Sequence, residues 1–383
     1  MSMAAFRIEF AEYLALSAIL VLIYTYAGYP LLAALWARLA PRPILGRDGF
    51  EPTVSICLSV YNGAAHLRDK LRNLQSLDYR ASKLQFLVYS DGSTDATEDL
   101  LAEFGKSDSR MQFLSSPARL GKPTALNRLL QIATGEVLLL CDVRQRMGPG
   151  ALKALLRPLS DPSIGCVSGT LVLTGETGPS LYWRYERLIR ASEGRIGAMV
   201  GVSGCVYAVR RADMSELPHD ILLDDMFVPL RMALTTRKRI VLAESAEAHD
   251  TAYDDDREFS RKVRTLAGNY QLIAKMPQLL IPGMNPVWFQ MVSHKLLRLA
   301  CPWALAFVFL TSLWLMTQHN PPTPSGFWTW RALFFAQCLF YGLALFGSNA
   351  KRPGNLARTF VVLNAAAVVG LFRFVRGSQA ITW

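Results

Sequence analysis

Two patterns of apolar residues divide the chain. Residues 14–35 are apolar without a charged side chain, enough to cross a hydrocarbon core of about 30 Å, and they lack the small-residue cleavage site of a signal peptide. They read as a retained anchor within residues 1–40. A linker containing proline and glycine, 41–52, follows, and from Thr53 the apolar residues come in short runs separated by turn residues. The runs 54–60, 84–89, 111–114 and 137–141 read as strands. Leu67, Leu71, Leu74 and Leu77 recur at helical spacing, and further helices are predicted over 96–104 and 124–133. Strands alternating with helices imply a parallel sheet with right-handed crossovers, a Rossmann-like α/β nucleotide fold.

Beyond Gly150 the pattern loosens. Strands are predicted at 164–173, 202–209 and 239–242, an aromatic-rich helix starts at Leu181, and a charged helix covers 255–270, so the domain runs over 53–275. Residues 286–299 carry His294, Lys295 and Arg298 among apolar residues, which suits an interfacial helix lying along the membrane. Within 300–376, the segments 302–316 and 328–347 read as spans, separated by the uncharged polar loop 318–325; the basic pair Lys351 and Arg352 follows the second. The last apolar stretch, 360–372, is closed by Arg373 and Arg376. A full crossing would leave these arginines outside, against the positive-inside rule, so a short span and a re-entrant segment both stay open.

Composition refines this picture. The chain is 51% hydrophobic with a formal net charge of +11. Several basic residues flank apolar runs, where membrane topology explains them without a nucleic-acid partner. Arg38, Arg42 and Arg47 follow the first anchor, against Arg7, Glu9 and Glu12 before it, which places the domain on the cytoplasmic face of the cell (inner) membrane. The six cysteines are scattered without a CxxC pair, as expected of reduced thiols.

Candidate chemistry gathers at strand ends, where ligands collect in open α/β sheets. Asp91, in a Ser-Asp-Gly-Ser-Thr-Asp loop, can accept from a base N–H or a ribose hydroxyl; an Asx turn and helix cap explain it equally well. Asp142 follows the run 137–141 and offers a hard oxygen to Mg²⁺ or Mn²⁺, though a single carboxylate is also a turn residue. Asp224 and Asp225 stand in an apolar neighbourhood, where like charge and desolvation raise a carboxylate's pKa as a general base requires; a solvated helix start is the alternative. Arg261 and Arg264, one helical turn apart, can clamp a diphosphate or lie against anionic lipid.

The order of these pieces resembles the family 2 inverting glycosyltransferases, membrane-anchored processive and lipid-directed members in particular, over nearly the whole chain. The matching residues are Ser59 to Asn62, Ser90 to Asp95, Gly121 and Lys122 with Ala125, Leu126 and Asn127, Gly135 and Glu136 leading to Asp142, Ser203 to Cys205 with Arg210 and Arg211, Asp224 and Asp225, and the segment 261–264. The resemblance implies a GT-A nucleotide-sugar domain flanked by transmembrane helices. It also implies a nucleotide-diphosphate sugar donor, UDP-linked by expectation, a divalent cation (Mg or Mn), and displacement with inversion onto a polysaccharide or lipid-linked acceptor beside membrane lipid. By the same resemblance Tyr61 and Asp91 contact the nucleoside, Lys122 the uridine or diphosphate, Asp142 the metal, and Arg264, with Arg261, the donor diphosphate. Asp225, beside Asp224, is the base, and Trp183, Cys205 and Thr265 fall on the acceptor side. Two departures stand out. Asp142, Val143 and Arg144 replace the family's aspartate-x-aspartate, leaving open whether His249 assists the metal or Arg144 supplies part of its charge. Arg261 and Thr265 stand where the family's motif has glutamine and tryptophan, which weakens the expectation of polymer synthesis. The competing expectation is a non-catalytic membrane protein that binds a nucleotide sugar or a partner enzyme.

Overall fold

Strands β1 (Val54–Val60) and β4 (Val137–Cys141) are buried at every position, as is β2 (Leu84–Asp91) except at Gln85. Helices α3 (Ala64–Gln75), α4 (Thr97–Ser107), α5 (Lys122–Ile132) and α6 (Ala151–Leu159) flank the sheet, which is why these strands are apolar runs rather than alternating ones. With β3 (Met111–Ser116) they pair in parallel in the order β3-β2-β1-β4. The computed structural model describes residues 3–174, 181–251, 255–317, 324–346 and 353–382. Most of the polar loop expected at 318–325, and the pair Lys351 and Arg352, lie outside them.

The expectation of an all-parallel sheet holds only as far as β4. There β7 (Val206–Arg210) enters antiparallel, pairing Val206 with Cys141 and Arg210 with Val137. The order continues β7-β6-β8-β5, with β6 (Ile164–Thr174) antiparallel to β7 and parallel to β8 (Arg239–Thr251), and β5 (Arg146–Met147) antiparallel to β8. A buried apolar run carries no sign of its direction. The reversal matters for the site, because it sets the turn that opens β7, Ser203 to Cys205, beside the end of β4.

Four helices are long and apolar enough to cross a membrane, Phe6–Leu39, Trp288–Met316, Trp328–Phe346 and Gly354–Val375. The first is α1 (Met3–Ile23) joined to α2 (Tyr29–Leu39) through a π-helical stretch, Tyr24–Gly28. The second corrects the sequence reading: the segment 286–299 is not a separate interfacial helix. It continues as α10 (Trp288–Gln290), a π-helical stretch Met291–Leu296, and α11 (Leu297–Met316). Its charges face protein. His294 places Nδ1 2.8 Å from Glu193 Oε1 and Nε2 3.3 Å from Glu186 Oε2, and Arg298 donates to Glu186. Tyr29 donates to the same Glu193 Oε1 at 2.6 Å, and Tyr24 Oη lies 2.8 Å from Ser293 Oγ, joining the two π-helical stretches. Both glutamates belong to α7 (Leu181–Ile196), so this network, with Tyr29, Glu193 and His294 each 1% exposed, bolts α7 to the long apolar helices. Burial would raise the Glu186 carboxyl, but Arg298 and His294 hold it well below the carboxylate range.

The remaining helices are α8 (Asp224–Thr236), α9 (Asp255–Lys275), α12 (Pro324–Phe346) and α13 (Pro353–Val375). α13 is the segment whose crossing the sequence left open.

Candidate active site

Three loops meet at the carboxyl end of the parallel strands. The Asp91 side chain, 1% exposed, accepts the Leu120 N–H at 2.7 Å and the Gly121 N–H at 2.9 Å, which fixes the loop between β3 and α5. Its carboxylate is thus spent on a turn, the alternative the sequence left open beside nucleoside contact. Gly92 has φ 70°, and a Cβ there would stand 2.9 Å from Ala118 C and Arg119 N, so only glycine lets these two loops touch. Asp95 accepts the Thr97 N–H on Oδ1 and the Ala64 N–H on Oδ2, each at 3.1 Å, stapling the starts of α4 and α3. Over this frame the Arg119 guanidinium carbon sits 3.7 Å from the centre of the Tyr61 ring. The sequence reading missed Arg119, because the stack depends on the conformation of two loops. Asn127, matched in the sequence, pins the neighbouring loop by exchanging hydrogen bonds with the backbone N–H and C=O of Leu217, both at 2.8 Å.

The acids converge on one lysine. Lys122 Nζ lies 3.0 Å from Asp142 Oδ1 and 3.3 Å from Asp224 Oδ2. Burial would discharge this ammonium, but Asp142 and Asp224 hold its pKa above the ordinary lysine value. Asp225 behaves oppositely: burial and the adjacent Asp224 raise its carboxyl from 3.8 to about 6 against the pull of Lys122 and Arg190. A Cβ on Gly204 would stand 3.1 Å from Asp225 Oδ2, so the glycine of the Ser203 to Cys205 turn leaves one side of this carboxylate uncovered. The Cys205 carbonyl accepts the Asp142 N–H at 3.4 Å. Its thiol is buried beside Ser203 Oγ and pushed up to about 11 by that burial, so the turn meets the site through Gly204 and the side chain expected on the acceptor side lies in the core. Tyr207, fully buried, has a hydroxyl with no hydrogen-bond partner among the described residues and is pushed well above its usual value by burial and Asp224. A tyrosine inside a buried strand reads as core, so sequence alone does not single it out.

Helices α9 and α7 close the arrangement. Arg264 donates to the Leu222 carbonyl at 3.3 Å, just before the acid pair, while Arg261 is exposed and its carbonyl accepts the Thr265 hydroxyl at 3.0 Å. Trp183 is half-buried on α7. Arg190 of the same helix donates to Ser168 Oγ at 3.0 Å, and that oxygen accepts the Ser203 N–H at 2.9 Å. Through this relay α7 positions the turn that faces Asp225.

Residues 55–212 match the profile of glycosyl transferase family 2. The chain carries a family 2 glycosyltransferase domain. An N-acetylglucosaminyltransferase of Rhizobium sp. (strain N33) is 26% identical over 204 residues, covering 50% of this chain and 45% of the relative. A beta-monoglucosyldiacylglycerol synthase of Nostoc sp. is 29% identical over 122 residues, 31% of this chain and 26% of the relative. The matches thus span less than half of these relatives' length. A mannosyltransferase of Pyrobaculum calidifontis, solved with GDP-Man and Mn²⁺, superposes with a TM-score of 0.74 at 22% identity over 94% of this chain and 99% of its own. The shared fold is the GT-A arrangement.

In this glycosyltransferase domain the residues after Asp142 take a course of their own. Arg144 and Gln145 donate to Asp250 Oδ1 and Oδ2 at 2.9 and 2.6 Å. Asp250 and Ala248 face inward, so strand alternation turns His249 outward, where it lies 3.4 Å from Glu247 with its side chain 42% exposed. Arg144 is thus held at Asp250, and His249 lies on the opposite face of the strand beside Glu247. Among the described residues no group of three or more His, Cys, Asp or Glu side chains is assembled for a metal. Asp142, with its side chain 42% exposed and engaged through Oδ1 among the described residues, leaves carboxylate oxygen open to a divalent cation.

Proposed function

We propose that this chain is an inverting glycosyltransferase that moves a sugar from a nucleotide-diphosphate donor to a polysaccharide or lipid-linked acceptor at the cytoplasmic face of the cell membrane. The observation that carries the reading is the pairing of one free-energy-costly base with one cation. Asp225 is a buried carboxyl raised to about 6, and Lys122 lies between Asp142 and Asp224 beside it. The named relatives and the solved mannosyltransferase support a nucleotide-sugar donor.

In this reading Tyr61 and Arg119 receive the nucleoside, and Lys122 with Arg264 neutralises the diphosphate. Asp142 would hold a divalent cation, Mg or Mn, which supplies charge neutralisation to the departing diphosphate when bound. Asp225 takes the proton from the acceptor hydroxyl as that oxygen attacks the anomeric carbon from the face opposite the leaving diphosphate, which inverts the centre. Asp224 keeps Asp225 basic and Lys122 charged. The acceptor reaches Asp225 past Gly204, from the side of α7, where Trp183 offers a stacking surface for a sugar. α7 is also bolted to the membrane helices, which suits an acceptor presented at the lipid interface. Within the chain, 1–40 serves as anchor, 41–52 as linker and 53–275 as catalytic domain.

The test is a screen of UDP- and GDP-sugars with protein in native lipid, measuring nucleoside diphosphate release. Release from one donor class, with product resolved by size into a single lipid-linked sugar or a polymer ladder, supports the reading and identifies the acceptor. Nucleotide binding without release from any donor would overturn it.

A further inference from the structure

The last helix does not leave the protein at its end. A Cβ on Gly370 would stand 2.9 Å from the Ala267 nitrogen, so α13 crosses α9 nearly backbone to backbone. One turn on, Phe374 stacks on Tyr270 with ring centres 6.3 Å apart. The helix then stops. Gly377 takes the left-handed conformation at φ 60°, its N–H donates to the Phe374 carbonyl, and the Ser378 N–H donates to the Arg373 carbonyl, both at 3.0 Å. That is a helix stop which reverses the chain. Arg373 also donates to Gln379 Oε1 at 3.2 Å, fixing the direction of the residues that follow. α13 therefore finishes against the catalytic domain, which puts Arg373 and Arg376 on that domain's side and removes the conflict with the charge rule.

The residues beyond the stop return to the donor loop. Ile381 is half-buried against the core cluster that contains Leu126, Leu223 and Phe227. Its Cγ2 lies 3.0 Å from the place a Cβ would take on Gly121. Gly121, at φ 89°, is the residue whose N–H is held by Asp91 and which is followed by Lys122. The loop is thus gripped from two sides, by a carboxylate through its backbone and by an apolar side chain against its bare Cα. Through Gly370 the same helix touches α9, the carrier of Arg261 and Arg264.

We propose that residues 377–382 form a wall of the donor site, with Ile381 acting as a positioning residue that holds Gly121 and so sets Lys122 between Asp142 and Asp224. The inference rests on the nucleotide-sugar reading above. It makes donor affinity depend on a side chain that no local motif connects with nucleotides.

The test compares Ile381→Val, Ile381→Ala and Ile381→Asp in the full chain in lipid nanodiscs, measuring UDP and GDP affinity with Mn²⁺ by calorimetry, donor KM and kcat, and the thermal unfolding midpoint. The expected result is a nucleotide Kd and donor KM raised about threefold by Ala and about tenfold or more by Asp, near wild type with Val, with kcat changed less than about twofold and the midpoint unmoved. Nucleotide affinity unchanged in Ile381→Asp would overturn the proposal, as would a loss of kcat that follows the loss of folded protein. If wild type binds neither UDP nor GDP, the nucleotide-sugar reading fails and this inference with it; if wild type binds and Ile381→Asp binds equally, the tail assignment alone fails.

Discussion

The Arg119 guanidinium lies over the face of the Tyr61 ring, 3.7 Å from its centre, and its buried Nη2 has no hydrogen-bond partner among the described residues. A buried donor without an acceptor is costly, so the stack is poised to give a hydrogen bond to a ligand. Arg119→Ala is expected to weaken UDP or GDP binding by about tenfold, and Arg119→Lys to recover little of it, because a lysine ammonium lacks the flat fork that stacks and donates together. Calorimetry on the three proteins checks this; equal affinities would place the nucleotide elsewhere.

Asp225 gives the pH dependence. Its carboxyl is raised from 3.8 to about 6 by burial and by Asp224, and only the ionised form can accept the acceptor's proton. The logarithm of kcat/KM should therefore climb with slope one up to about pH 6 and level off above it. Asp225→Asn should reduce turnover by about a thousandfold or more, remove that limb, and leave nucleoside diphosphate affinity within about twofold of wild type. The stability sign runs the other way. A raised folded-state pKa means the folded protein holds the proton more tightly, so stability from this group is present below about pH 4 and lost as pH rises through about 6; Asp225→Asn should abolish that loss in thermal unfolding scans.

Lys122→Met tests the cation. Lys122 pulls the Asp225 pKa down and bridges two other carboxylates at 3.0 and 3.3 Å. Its removal should cost about a hundredfold or more in kcat/KM and move the acid limb of the pH profile upward, because Asp225 loses its nearest positive neighbour. A profile that falls in height without shifting would argue that Lys122 does not face the base.

His294 sits 1% exposed between two glutamates of α7. Replacing it with alanine leaves both facing carboxylates short of a partner, and a destabilisation of about 3 kcal/mol is expected. Glutamine, which can still hydrogen-bond one of them, should cost less. Unfolding midpoints in nanodiscs measure both; equal stability for Ala and wild type would mean that the network does not bolt α7 to the long apolar helices.

How much of this was legible in the sequence differs from element to element. β1 and β4 coincide with their apolar runs because strands buried on both faces have no polar positions to blur them. β8 was expected to end at Leu242 but reaches Thr251, since Ala243, Ala246 and Ala248 supply buried positions with little strand preference. The charges of 294–298 suggested water or lipid headgroups; their partners lie about a hundred residues away on α7, beyond the reach of any local pattern. Asp142, Lys122 and the acid pair could be listed from motif order. That one ammonium joins them, that Gly204 rather than Cys205 faces Asp225, and that His249 lies on the face opposite to Asp250 all follow from strand direction and pleat.

The two π-helical stretches, Tyr24–Gly28 and Met291–Leu296, each hold one residue more than a regular α-helical turn would. A π-helical turn takes up its extra residue within about the rotation of one ordinary turn, so deleting a single residue from Tyr24–Gly28 would restore ordinary winding and leave the faces on either side nearly in phase. Glu12, which accepts from the Trp330 indole at 2.8 Å, would keep facing it while Tyr29 stayed on Glu193, and the change would fall on Tyr24, which meets Ser293 from the π-helical stretch itself. The inserted residue therefore works as a local widening of one turn, letting the two stretches meet at Tyr24 and Ser293 without turning either face of the long helix.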